Sequence, residues 1–417
     1  MKKLLLLSFS LLLLFACGKD DKPDENPITP VPCSSLTFQT TINSTLIPVS
    51  ITEDYNKNII VLGTENGVTK VLKIDSAGGL VWKKDFSNVD GKPARIIALS
   101  DNSLVFATKL FNKKEYFAVN GYNSIWIQNG YNRLGCKKSY ELGNDDNNYH
   151  VKSGTNLVKI NSKGDVQWTK KIDRCFGDAN SLQKYSDQSF VLLTMKFYGK
   201  IPEPIYDGNG VFQDTVNYSL DSNIIYLSKF ASDGKLYWQI EVDHVFNMQY
   251  DSLPTALGIG ITSSEIVIQA DRELISIDNG GTIVKREQMN NTNCTYELCS
   301  IGAIGNDVFI SGNYIDYANP FWHYTLKRMD GSNGWGVEPN EIIEDVGQKN
   351  IITRELIFNS NENYYKLKYY STQGTLIWQY TSVKDYACTF NCKEGITIAE
   401  QKSGGLLITR TDDSGNF

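Results

Sequence analysis

Ile74-Asp75-Ser76-Ala77-Gly78-Gly79-Leu80-Val81-Trp82 is a phrase to which the chain keeps returning. It comes back as Ile160-Asn161-Ser162-Lys163-Gly164-Asp165-Val166-Gln167-Trp168, Phe230-Ala231-Ser232-Asp233-Gly234-Lys235-Leu236-Tyr237-Trp238 and Tyr370-Ser371-Thr372-Gln373-Gly374-Thr375-Leu376-Ile377-Trp378. Ile277-Asp278-Asn279-Gly280-Gly281-Thr282-Ile283-Val284-Lys285 is a copy without the Trp. A polar pair followed by Gly is turn chemistry, because Gly reaches positive φ at no steric cost, and the apolar residues on either side read as strands. Each phrase is therefore a hairpin, and its second strand carries a large ring.

Spacing counts the units. Gly78 and Gly164 lie 86 residues apart, two steps of 43, and Gly281 and Gly374 lie 93 apart, two steps of about 46. Degenerate turns at Asn120-Gly121 and Asp330-Gly331-Ser332-Asn333-Gly334 fall near both midpoints. Two more strands precede the good phrases, at 47–52 and 59–63, at 94–99 and 104–108, and at 181–185 and 190–195. Four strands per roughly 40–50 residues predicts an all-β chain folded as a single β-propeller with four-stranded blades; an open solenoid has shorter repeats. The final unit has strands at 396–400 and 406–411 and then stops, whereas Leu36-Thr37-Phe38-Gln39 matches the pattern of Leu80-Val81-Trp82-Lys83. The N-terminal strand is thus expected to close the last blade, removing two sheet edges. Seven blades follow if 110–154 is an insertion in the second blade, and eight if 136–172 is a blade of its own. The propeller would span 35–417, with insertions near 110–154, 196–222 and 312–322.

The N-terminus sets an address. Met1-Lys2-Lys3 is basic, 4–15 is apolar apart from Ser8 and Ser10, and Leu14-Phe15-Ala16-Cys17 ends the run. The apolar stretch is shorter than the ~20 residues that a membrane span needs. It resembles a bacterial lipoprotein signal peptide (1–16) with its lipobox, which implies lipidation at Cys17 by a diacylglyceryl group and an acyl chain such as palmitate. Several chains together anchor a protein stably to a membrane. Residues 17–34 are a polar, Pro-stiffened tether with nothing to bury. Cys17-x-Lys19-Asp20-Asp21 also resembles the signal that sends Bacteroidetes lipoproteins to the outer face of the outer membrane, with an ordinary periplasm-facing tether as the alternative.

Composition narrows the partners. The chain of 417 residues has 41 basic and 47 acidic side chains, a net charge of −6. Losing Lys2 and Lys3 with the signal leaves 39 basic against 47 acidic, or −8. With no Lys/Arg block, a nucleic-acid partner is not expected. Seven cysteines remain beyond Cys17. Cys294 with Cys299, Cys388 with Cys392, and Cys136 with Cys175 are candidate disulfides, leaving Cys33 odd; free buried thiols are the alternative.

The repeats resemble the quinoprotein-like and WD40-like propeller superfamily, and the Asp-x-x-Gly-x-x-x-Trp phrase is similar to that of Bacteroidetes propeller lipoproteins. This covers about 36–417 and implies fold rather than activity. The adjacent cysteine pair of quinoprotein enzymes is missing, and only Thr411-x-Asp413-x-Gly415 begins like a sialidase Asp-box. His150, His244 and His323 are isolated, no nucleophile elbow or phosphate-cradling Gly loop is present, and no cofactor or metal is expected. Aromatics instead crowd the connections between second and third strands, all of which emerge on one rim of a propeller. Tyr122, Trp126, Tyr206, Phe212, Tyr317 and Trp322 are the candidate ligand contacts, flat stacking surfaces among Asn and Asp. The expected function is that of a surface lipoprotein binding a glycan or an outer-membrane protein complex. A propeller glycosidase or lyase acting on polysaccharide is the alternative, since converging carboxylates leave no local motif.

Overall fold

A computed structural model describes residues 37–110, 140–142, 148–151, 154–177, 179–186, 188–200, 204–206, 212–215, 220–248, 258–270, 273–288, 294–316, 319–328, 335–336, 341–357, 364–382 and 385–417. They form antiparallel sheets, each wound outward from its first strand. The first strands are neighbours all the way round, in the order Ile47–Glu53, Lys92–Ala98, Leu182–Ser186, Ile259–Ile261, Cys294–Ile304, Glu341–Val346 and Tyr386–Phe390, which returns to Ile47–Glu53.

Only six of the sheets in the ring are regular four-stranded blades, where seven such blades were expected. The sheet of Leu182–Ser186 has seven strands: beyond Ser189–Lys200, Leu220–Ala231 and Leu236–Met248 it takes up Cys175–Phe176, Tyr140–Leu142 and Asn148–Val151. The physical cause is length. Ser189–Lys200 runs 12 residues, against seven for Leu104–Leu110 in the sheet before, so its far end projects past the ring and is free to pair with other chain. The eight-blade alternative fails on register, because Gly154–Ile160 pairs with Leu104–Leu110 and with Val166–Ile172 in one sheet. Phe38–Ile42 lies beside Gly405–Arg410, with Phe38 opposite Arg410 and Ile42 opposite Leu406.

The core is a series of apolar layers between consecutive sheets. Ile51, Ile59, Val61 and Leu72 meet Ala387, Ala399, Leu406 and Ile408; Val191, Leu193, Ile225 and Leu227 meet Ile266, Ile268, Ile275 and Ile277. Middle strands such as Ile59-Ile60-Val61-Leu62 are buried without alternation because a neighbour covers each face of the sheet.

The repeated phrase does two jobs. Asp75 Oδ1 accepts from the backbone N–H groups of Ala77 and Gly79 at 2.9 and 2.7 Å, and Asn161 and Asp412 do the same in their own copies. The Gly then sits at positive φ, 92° at Gly78 and 84° at Gly234. The same Gly also seats the ring of the preceding sheet. Trp82, Trp168 and Trp238 donate their indole N–H to the carbonyls of Ser162, Ser232 and Asn279 in the next turn at 3.1, 3.2 and 3.0 Å. A β-carbon at Gly234 would come within 3.1 Å of Trp168, and one at Gly281 within 2.9 Å of Trp238. Gly415 faces Trp378, and Gly78 faces Phe38, which takes the place of the Trp in the strand beside Gly405–Arg410.

Candidate functional site

Strand direction sorts the connections onto two faces. Turns between first and second strands and between third and fourth strands share one face, here the turn face. Connections between second and third strands emerge on the other, the insertion face. The three aromatic insertions belong to the insertion face, and two of them touch. Tyr198, Gly199 and Lys200 stand opposite His150, Tyr149 and Asn148, so part of the 110–154 insertion is a strand of the neighbouring sheet. Pro204–Tyr206 and Phe212–Thr215 form a two-stranded hairpin of their own, with Tyr206 directly opposite Phe212. In the sheet of Cys294–Ile304, the strand Asn319–Arg328 carries Trp322 opposite Ile315.

Of the six candidate contacts, the backbone register therefore brings Tyr206 and Phe212 together and places Trp322 on a separate extended hairpin. Tyr122, Trp126 and Tyr317 lie outside the described residues. Cys17 and the tether do so too.

On the turn face a cavity of about 110 Å³ opens among the first strands, lined by Ile259, Ile261, Ile301 and Ile343 with Asn180, Lys184 and Asp345. Asp345 accepts from Thr389 Oγ1 at 2.8 Å and from the Phe390 and Val346 N–H groups at 3.1 and 3.0 Å. Lys184 donates to the Tyr55 hydroxyl and sits 4.5 Å from that ring. Asp345 thus ties two neighbouring sheets together, and Lys184 reaches past the sheet of Lys92–Ala98 to the first.

Buried lysines recur one residue before three of the five phrases, a signal present in the sequence but not singled out there. Lys73 pairs with Asp54 at 2.8 Å and Lys159 with Asp101 at 3.3 Å. Lys229 donates to Asn279 of the next sheet and lies 4.1 Å from the Tyr185 ring, and burial pulls its pKa down. At the seam between the last and first sheets, Arg410 reaches Glu53 at 2.8 Å; burial pushes the Glu53 carboxyl up in spite of Arg410 and Lys57. On the insertion side of the first sheet, Lys70 and Lys83 hold Glu65 far below the usual carboxylate range. The described charges thus serve mainly as internal cross-braces, and the arrangement suits a rigid platform.

Two candidate disulfides are corrected. Cys388 is a free, buried thiol, so it is not bridged to Cys392. Cys294 and Cys299 lie on one continuous strand, five residues apart; at about 3.3 Å per residue that is well beyond the ~7 Å between Cα atoms that a disulfide tolerates. Cys136 falls outside the described residues, and Cys175 pairs in backbone register with Met195.

No family model matches the chain, and no curated protein matches it. Solved structures do. A virginiamycin B lyase of Staphylococcus aureus, bound to quinupristin, has 11% identity and a TM-score of 0.48 over 90% of this chain and 99% of that one. BamB of Moraxella catarrhalis has 8% identity and a TM-score of 0.42 over 90% and 99%. The β-propeller domain of the Trilobed protease of Pyrococcus furiosus has 9% identity and a TM-score of 0.42 over 87% and 95%. By its own ring of sheets the chain is a β-propeller with four-stranded blades. At these identities the likeness is one of fold alone.

Proposed function

We propose that this propeller is a lipid-anchored binding protein of the outer membrane, exposed at the cell surface, which presents its insertion face to a glycan or to an outer-membrane protein partner. One observation carries the reading. Phe38–Ile42 begins at the turn face, where Phe38 stands over Gly78 and opposite Arg410, so this face is taken up by the repeated turns and the entering strand. The connections that hold the candidate aromatics in sequence gather on the opposite, insertion face, where Tyr198–Lys200 pair with Asn148–His150 of the neighbouring insertion.

The test is to express the full chain with its signal, then follow acylation, surface exposure and binding. Metabolic lipid labelling is expected to disappear in Cys17→Ser, and protease access on whole cells to fall when Lys19, Asp20 and Asp21 become Ala. Detergent-solubilised protein is expected to retain either a polysaccharide, without shortening it, or a stoichiometric outer-membrane protein. Labelling of Cys17→Ser equal to the parent overturns the anchor, and release of shorter sugar products overturns the binding role in favour of a glycosidase or lyase.

A further inference from the structure

Cys392 is disulfide-bonded, whereas Cys388, four residues earlier, is free. Cys392 lies in the turn between Tyr386–Phe390 and Ile396–Lys402, at the seam where the last sheet meets the first. Arg410 Nη2 donates to its Sγ at 3.4 Å and to Glu53 Oε2 at 2.8 Å, and the Cys392 backbone N–H donates to Glu53 as well. Arg410 is in turn the residue opposite Phe38. The path from Cys392 through Arg410 thus ends on the first residue of the N-terminal strand.

Cys33 stands five residues before Phe38. Five extended residues reach up to about 17 Å, against one strand spacing of about 5 Å plus the length of the Arg410 side chain. The other cysteines fit worse. Cys294 and Cys299 belong to a first strand separated from Tyr386–Phe390 by the sheet of Glu341–Val346, and Cys175 pairs beside Ser189–Lys200. Cys136 falls within a connection of the insertion face, and Cys17 lies sixteen residues further from the ring than Cys33.

We propose that Cys33 is the partner of Cys392, and that this bond fastens the end of the tether to the inner turn of the last sheet. It forms by thiol–disulfide exchange with a disulfide donor. One thiolate attacks the donor's S–S bond and releases a donor thiolate; the second cysteine thiolate then displaces the other donor sulfur. The Cys33–Cys392 bond is made, and the donor takes up the two electrons and the two protons that the cysteine thiols lose, ending as a dithiol. The bond requires an oxidising compartment but no acyl group, so it stands or falls separately from the anchor.

Its consequence is mechanical. Without it, tension on the tether would peel Phe38–Ile42 from Gly405–Arg410, starting at the Phe38 end. With it, the load enters the ring at Cys392, beside the buried Arg410 and Glu53 pair. Cys388 does not disturb the bond although it is close in sequence. Burial, with Glu344 and Asp345 nearby, pushes its thiol well above the usual range, and a protonated thiol does not attack a disulfide.

The deciding experiment is a peptide map of the full chain, purified without reductant, alkylated in denaturant and digested with trypsin. One cross-linked species is expected, joining the peptide of Cys33 to that of Cys388 and Cys392, with fragment ions placing the alkyl group on Cys388. In Cys33→Ser both Cys388 and Cys392 are expected to be alkylated. The melting temperature of the parent should fall on reduction to that of Cys33→Ser, which should itself not respond to reductant. Alkylated Cys392 in the parent, or its linkage to any other cysteine, overturns the proposal even if the variant fails to accumulate.

Discussion

The two faces of this ring follow different rules. On the turn face, one sequence phrase solves the same problem in sheet after sheet: a side-chain oxygen closes the turn, Gly adopts positive φ, and that Gly receives the ring of the sheet before. On the insertion face the described connections differ from sheet to sheet. The first sheet closes with the tight turn Asn66-Gly67 and the Glu65, Lys70 and Lys83 brace, whereas the third grows strands of 12 and 13 residues and adopts its neighbour's insertion. Periodicity therefore marks the half of the molecule that holds the ring together, and its loss marks the half free to specialise.

The largest effect expected is from the strand that enters at the turn face. Deleting residues 37–42 removes the partner of Gly405–Arg410, takes away the buried Ile42 and uncovers Leu406 and Ile408. At about 1.5–3 kcal/mol per fully buried side chain, the loss should exceed 3 kcal/mol before any strand pairing is counted. Denaturant unfolding measures it. A midpoint equal to the parent's would mean the ring does not depend on this strand.

Next comes the Trp–Gly seat. Trp168→Ala should cost about 3 kcal/mol, the low end for buried aromatics because the ring is only half-buried. Gly234→Ala should cost roughly 1–2 kcal/mol, since its φ of 84° is strained for any residue with a β-carbon. The double variant should cost less than the two added together, because without the ring the new methyl meets no neighbour at 3.1 Å. Strict additivity would show the two residues to be independent.

A pH experiment probes the brace on the other side. Glu65 titrates far below its ordinary value of 4.5 in the folded chain, chiefly through its bonds to Lys70 and Lys83. The folded state thus resists protonation, so this contribution is whole above about pH 4.5 and is lost as pH falls below it. Glu65→Gln should lower stability at pH 7 and leave a shallower decline between pH 4.5 and pH 3. Parallel pH–stability curves for variant and parent would assign the brace no role.

What the sequence discloses follows the same division. Gly164 and Trp82 are both visible as repeat residues, so the sheet type, the hairpins and the packing role of the Trp could be read. That the two touch could not, because they come from different copies and meet only when the sheets stack. Cysteine spacing misled for a related reason. Cys294 and Cys299 look like a short loop until both are seen to lie in one continuous strand, and Cys388 packs in the layer with Ile396 and Ile398. Blade counting by Gly intervals could not foresee that Ser189–Lys200 would outgrow its blade and pair with Asn148–Val151. Lys73, Lys159 and Lys229 share one position before the phrase, a pattern in plain view whose meaning appears only with Asp54, Asp101 and Asn279 beside them.

The smallest expected effect on stability is also the one that decides where ligand binds. Tyr206 and Phe212 oppose each other in a separate two-stranded hairpin, and Trp322 belongs to Asn319–Arg328 of another sheet, so all three lie away from the repeated phrases in the chain. Changing each to Ala should move stability by no more than about 0.5 kcal/mol, as for surface positions without special contacts. Each lost aromatic contact should weaken ligand retention by about 0.5–1.5 kcal/mol beyond its area. Trp168→Ala should do the opposite, lowering stability while the protein that remains folded binds as the parent does. The contrast is informative because both classes of residue are aromatic and both recur through the chain; what separates them is the face they occupy. If the Tyr206, Phe212 and Trp322 variants unfold as readily as Trp168→Ala, those rings pack the insertions onto the sheets, and the binding surface must be sought at the turn face instead.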